Sequence, residues 1–276
     1  MGLFDLFNDV KESADRSRQA REYIQRAKEL VREGDQLYER AYDKVTSYAS
    51  ETEYRIRKHM NYKRDIAKEL GGNIGVTLKE FRNFNIDTKI IEAPSIQDST
   101  AGLDIFKSSM SSCMPNISIP SILDMFISDD DYYEAKRQRD EAEAYKERMK
   151  REREKLESYK EKMSEIRSFM DAEKNELDTL MSKLRRMTDD LNKGMQKGSY
   201  SSQEAEYLKG VHKIAECVAK LLSTEFLSDG FSVNQRYAKA FEGIKQINQS
   251  LPYSPSISDS NTLGAIKKIL DSTVVY

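Results

Sequence analysis

His59 and His212 are the only histidines in the chain, and Cys113 and Cys217 the only cysteines. Proton-transfer and thiol chemistry near neutral pH therefore has few residues to run on. His212 and Glu216 are four apart, with Cys217 beside them. On a helix that spacing sets imidazole and carboxylate on one face, as a metal site needs. His212 borders an apolar face, however, and the expectation is a core or surface histidine with no metal. Asp129, Asp130 and Asp131 lack the alternating ligands and glycine of a calcium loop. An acidic helix start, favourable at the positive end of the helix dipole, accounts for them. Glu152 and Glu173 interrupt an otherwise apolar repeat and could act as a carboxylate pair. In a two-helix seam such residues more often set register or turn outward. There is no glycine-rich phosphate loop with its lysine and no G-x-S-x-G. The expectation is a protein that is not an enzyme, with no catalytic residue, no cofactor and no metal.

Charge clustering offers a second kind of chemistry. Residues 55–64 hold five basic side chains and no acid, and residues 146–155 hold six basic and three acidic ones. Arg55, Arg57, Lys58, Lys63 and Arg64, set level with Arg148, Lys150, Arg151, Arg153 and Lys155, would form a positive collar. Such a collar fits an anionic surface, either lipid headgroups or nucleic acid. A solvated, charge-laced helix surface is the plainer reading. A third feature is apolar: Ile117, Ile119, Ile122, Leu123, Met125, Phe126 and Ile127 could contact a partner, or fold down as a local core.

The elements that must position these groups are helices. Ala142, Met149, Leu156, Met163, Met170, Leu177, Leu184 and Leu191 recur every seventh residue. Tyr145, Glu152, Tyr159, Ile166, Glu173, Leu180 and Met187 interleave with them. Only a helix gathers those positions into one stripe, and so narrow a stripe needs a second helix against it. An earlier repeat, Ala20, Ala27, Gly34 and Ala41 with Tyr23, Leu30 and Leu37, supplies that helix. Its small residues suit the larger Met and Leu seam. A third stripe, Ile24, Val31, Tyr38 and Val45, lies beside it. All five prolines fall at 94, 115, 120, 252 and 255, which leaves both long segments uninterrupted. The two seams match in length, and an antiparallel hairpin follows in which facing residue numbers sum to about 212. Each seam is roughly 75 Å long at 1.5 Å per residue.

This reading is all-α: a long antiparallel helical hairpin, a coiled coil, with a helical-bundle base and a mixed, partly irregular tip. Residues 1–19 form an amphipathic N-terminal helix packed on the base. Residues 20–70 and 131–196 form the stalk, and 71–130 the distal tip. Residues 201–276 complete the base, with Ser201 and Glu204 as a capping box and Ser232 with Gln235 opening a further helix. Helix 203–227 is expected to return along the stripe from Ile24 to Val45.

One third of the residues are charged, 38% are hydrophobic, there is no Trp, and the net charge is −2. That balance suits an elongated helical protein rather than a compact globule, and total charge names no partner. No apolar run reaches membrane-spanning length. The acidic N-terminus lacks the pattern of a secretory signal. Two distant cysteines suit a reducing compartment, and the expected location is the cytoplasm. The function expected is a non-enzymatic structural or adaptor protein that presents its tip to protein partners, including copies of itself. A membrane-active protein of the α-helical pore-forming or membrane-remodelling type, engaging a bilayer through 102–127 and the collar, is the alternative. Nucleic-acid binding through the collar comes third.

Overall fold

The computed structural model describes residues 3–80, 108, 132–195, 201–228 and 231–272. Helix α1 runs from Leu3 to Glu69 and passes through a π-helical turn, Leu70–Ile74, into α2, Gly75–Glu80. Helix α3 spans Tyr132–Met195 and α4 Ser202–Ser223. A two-residue β-hairpin follows, β1 Leu227–Ser228 against β2 Ser232–Val233, and then α5 Gln235–Ser250 and α6 Ser260–Asp271. The chain is all-α in class, with α1 and α3 as an extensively packed long pair. Among the described residues no helix is long and apolar enough to cross a membrane.

The local reasons are those of the sequence. No proline interrupts α1 or α3. The seventh-residue set from Ala142 to Leu191 is buried throughout, as are Tyr145, Ile166, Glu173, Leu180 and Met187. Gly71 and Gly72 do not stop the first helix outright. Gly72 leaves helical geometry (φ −83°, ψ −107°), and the chain kinks and resumes as α2. Ser201 and Glu204 form the expected capping box. The next helix is capped by Asn234, whose side chain accepts from the Arg236 N–H, rather than by Ser232, which lies in β2. No helix boundary falls near residue 19 either. α1 is continuous there and residues 11–16 are exposed, while the side chains of 1–10, which carry the apolar face expected to pack on the base, lie outside the described residues.

The chain divides into two compact units. The first joins Met1–Ser50 to Met110–Glu161. In it Tyr23 meets Tyr132 at 5.6 Å between ring centres, Tyr145 donates to Asp35 at 2.6 Å, Lys146 pairs with Glu33, and Lys160 lies over Tyr48. Ala27, Leu30, Val31, Ala142, Tyr145 and Met149 form one apolar cluster. Gly34 marks a close approach, because a Cβ there would sit 3.3 Å from Tyr145 and 3.4 Å from Met149.

The second unit joins Glu51–Ser109 to Lys162–Tyr276. In it Arg167 donates to Thr52 at 2.8 Å, His59 meets Glu173, Tyr62 donates to Asp178 at 2.8 Å, Arg185 pairs with Glu69, and Asn192 reaches Thr77. The C-terminal helices dock within this unit. Lys183 donates to the carbonyls of Asn248 and Leu251 at 2.7 and 3.0 Å, which satisfies orphan acceptors at the end of α5. Asn248 donates to the Glu176 carbonyl at 2.7 Å, and Arg186 to Ser254 at 2.9 Å. α4 packs on both α5 and α6, and it buries Tyr207, Leu208, Val211, Ile214, Ala215, Val218, Leu221 and Leu222.

Two expectations are corrected here. The long helices run parallel, not antiparallel. In each unit the partners advance together along the chain, separated by 110 and 113 positions in the first and by 112–116 in the second. A heptad stripe has no arrow. A short turn would have forced an antiparallel pair, but the chain between Glu80 and Tyr132 is long enough to leave both directions open. The second correction follows from the first. The helix expected to return along Ile24, Val31 and Val45 is assigned to a different unit: those residues belong to the first, and α4, α5 and α6 to the second.

Candidate functional site

Thr52, Ile56, His59, Lys63, Ile66 and Leu70 follow a four-three spacing along α1, so polar residues fall at two successive buried positions. Opposite them on α3 stands Glu173, fully buried. His59 Nε2 lies 2.9 Å from Glu173 Oε2, and Lys63 Nζ 3.5 Å from Oε1. From α5 the buried Tyr237 hydroxyl donates to the same Oε1. One carboxylate thus serves three partners from two other helices. Aromatic rings wall the cluster. Lys63 Nζ sits 4.1 Å from the Tyr237 ring centre and 4.8 Å from that of Phe226. Phe226 packs on His59, Phe169 and Tyr237, and Phe241 on Phe169.

The electrostatics follow from burial opposed by pairing. Burial raises the Glu173 carboxyl, but Lys63, His59 and Tyr237 outweigh it and hold the group below its ordinary value. Burial pushes the Lys63 ammonium down, with Glu173 opposing. Burial raises the Tyr237 phenol, and the neighbouring carboxylate raises it further.

His59 also faces outward. It lines a groove of about 640 Å³, together with Tyr54, Lys58, Tyr62, Met170 and Asp171. Tyr62 is raised by burial and by its hydrogen bond to Asp178. An imidazole oriented by a buried carboxylate is one half of a general-base arrangement. Among the described residues the groove lining includes no serine, threonine or cysteine to serve as nucleophile. The arrangement can hold charge and pass a proton.

The other sequence candidates are placed as follows. His212 Nδ1 lies 3.8 Å from Glu216, and burial raises the Cys217 thiol, away from thiolate character. No group of three or more His, Cys, Asp or Glu that could hold a metal occurs among the described residues. Glu152 turns outward to Lys155 at 2.9 Å, as expected of a seam acid. Glu173 does the opposite. Asp129, Asp130 and Asp131 lie outside the described residues, as do Ile117, Ile119, Ile122, Leu123, Met125, Phe126 and Ile127.

The collar residues are placed unit by unit. With the helices parallel, 55–64 faces the stretch of α3 that holds Asp171, Glu173 and Asp178, while 148–155 falls between the Tyr145–Asp35 and Lys160–Tyr48 contacts. The two basic blocks belong to different compact units. Arg55 pairs with Glu51 at 3.3 Å and with Asp171 at 3.4 Å, and Arg57 with Glu53 at 2.7 Å. Arg64 bonds Asn61, Lys58 is exposed in the groove lining, and Lys63 is buried. In the other block Lys150 pairs with Glu147, Arg153 with Glu157 and Lys155 with Glu152, while Arg151 reaches the Glu147 carbonyl and Arg148 is exposed.

Sequence reasoning missed the cluster because it assigned its members to separate roles. His59 was an isolated histidine, Lys63 a collar cation and Glu173 a register residue, while Tyr237 was given no functional role. The signal was present in α1, where His59 and Lys63 occupy consecutive positions of a buried stripe. No protein-family model, no curated protein and no solved structure matches the chain.

Proposed function

We propose that the chain is a non-enzymatic helical scaffold, an adaptor that carries residues 81–131 to a protein partner. The observation behind this reading is how the apolar side chains are used. Both helices exceed sixty residues, and among the described residues most of their apolar positions are buried. Among the described residues only Tyr54, Val76, Tyr133 and Tyr253 are large exposed hydrophobics, too scattered to form a contact patch. The segment between α2 and α3 holds the apolar run Ile117–Ile127, which suits the presenting role. A half-buried Cys217 thiol, pushed up by burial and away from thiolate character, fits work in the cytoplasm.

The test replaces 81–131 with a Gly/Ser linker of equal length. The scaffold reading expects helicity and melting to be kept while cross-linked partner complexes, including those with a second copy of the chain, disappear. Collapse of the helix pair in that variant would make the segment structural and overturn the reading. Flotation of the intact chain with liposomes, lost on the same replacement, would establish the membrane-active alternative in its place.

A further inference from the structure

The Glu173 cluster joins three elements: α1 through His59 and Lys63, α3 through Glu173, and α5 through Tyr237. Apolar side chains could fill the same space. Exchanging a buried ion pair for packed hydrophobic residues is often neutral or stabilising, whereas removing one partner alone strands a buried charge. The cluster is therefore poor as simple glue and well suited to holding one arrangement conditionally. We propose that it is an acid-released latch that keeps α5, and with it α4 and α6, on the paired segments of α1 and α3 in the second unit.

Every group facing the carboxylate supports this role. α1 contributes His59 and Lys63, and Tyr62 also feels the Glu173 charge. α5 contributes Tyr237, and the segment before β1 contributes only the Phe226 ring. On α3 itself the neighbouring Lys174–Asp178 pair is exposed and bonded to Tyr62. Among the described residues no second carboxylate bonds to a member of the cluster other than Tyr62's partner Asp178. Protonating Glu173 therefore leaves the Lys63 charge uncompensated and removes acceptor capacity from three donors at once. His59 is the one member of the cluster that also lines the groove.

The sign follows from linkage. Glu173 is held below its ordinary value of 4.5 in the folded protein. Its contribution is complete above that pH and is lost as pH falls through the lowered folded value. The latch holds at neutral pH and opens as pH falls through that lowered value.

Hydrogen exchange read by mass spectrometry on the full chain, corrected for the intrinsic pH dependence of exchange, tests this. Between pH 7 and 3, peptides covering 226–250 should lose at least about tenfold in protection before those covering 20–49 do. Glu173→Gln should show that loss already at pH 7. Glu173→Leu combined with Lys63→Met and Tyr237→Phe removes both charges and the phenol donor together, and should keep 226–250 protected at both pH values. The latch is overturned if Glu173→Gln is as protected as wild type at pH 7. It is equally overturned if the triple variant opens at the wild-type pH, or if the wild type loses 226–250 and 20–49 in one step.

Discussion

Gly210 sits inside α4 with Ile266 of α6 directly over it. A Cβ built there would lie 2.4 Å from Ile266 Cγ2, 3.0 Å from Cγ1 and 3.2 Å from Cβ. In most helices Gly→Ala is favourable, by about 0.8–1.0 kcal/mol, because alanine loses less backbone entropy on folding. Here the opposing effect is larger. Ile266 is fully buried, and as a β-branched residue it has one strongly preferred χ1 rotamer in a helix. The clash cannot be relieved by swinging a flexible tip, so α4 and α6 must separate. Overpacking of this kind costs about 1–3 kcal/mol. The net expectation for Gly210→Ala is a loss of roughly 1 kcal/mol, read as a fall in Tm of about 2–4 °C. Gly264, in α6, is the internal control. Nothing lies within 4 Å of a Cβ built there, so Gly264→Ala should gain up to about 1 kcal/mol. A double-mutant cycle completes the assay. In an Ile266→Ala background the space is open, and Gly210→Ala should become stabilising. Urea unfolding followed by circular dichroism measures all four variants. A Gly210→Ala protein as stable as wild type, with no coupling to Ile266, would refute the close α4–α6 contact.

The parallel direction is testable by cross-linking: with Cys113 and Cys217 changed to Ser, Ala27→Cys and Ala142→Cys should form a disulfide on mild oxidation, since both residues lie in one buried cluster. A cysteine at Arg185, the partner of Ala27 under the antiparallel sum, should not react with the one at position 27. Lys183→Met keeps the length of the side chain but abandons two backbone carbonyls, and urea unfolding should show a loss of about 1.5–3 kcal/mol. Asp259 caps α6, and its hydrogen bonds from Thr262 and the Asn261 N–H hold its carboxyl below the ordinary value. Its contribution is present above about pH 3.8 and lost as pH falls through the lowered value, so Asp259→Ala should lower Tm at pH 7 and matter progressively less in strong acid.

How much was legible beforehand divides along a physical line. Periodicity reports which residues are buried, and it did so well. The Ala142–Leu191 set, the α4 face and the Ser201–Glu204 cap all stand where spacing and capping chemistry put them. These are local properties, decided by which side chains share a helix face and which oxygen can reach an orphan N–H. Direction is not local. A seven-residue stripe reads the same from either end, so the pairing of Tyr145 with Asp35, and of Arg185 with Glu69, was open until the helices were set side by side. That choice carried the rest with it. It set residues 55–64 against the acidic stretch of α3, on which the C-terminal helices dock between Glu173 and Asp190. It also placed His59 and Lys63 against Glu173. Whether a buried acid in a seam turns outward, as Glu152 does, or becomes the centre of a charged cluster depends on what faces it, and only tertiary structure supplies the facing residues.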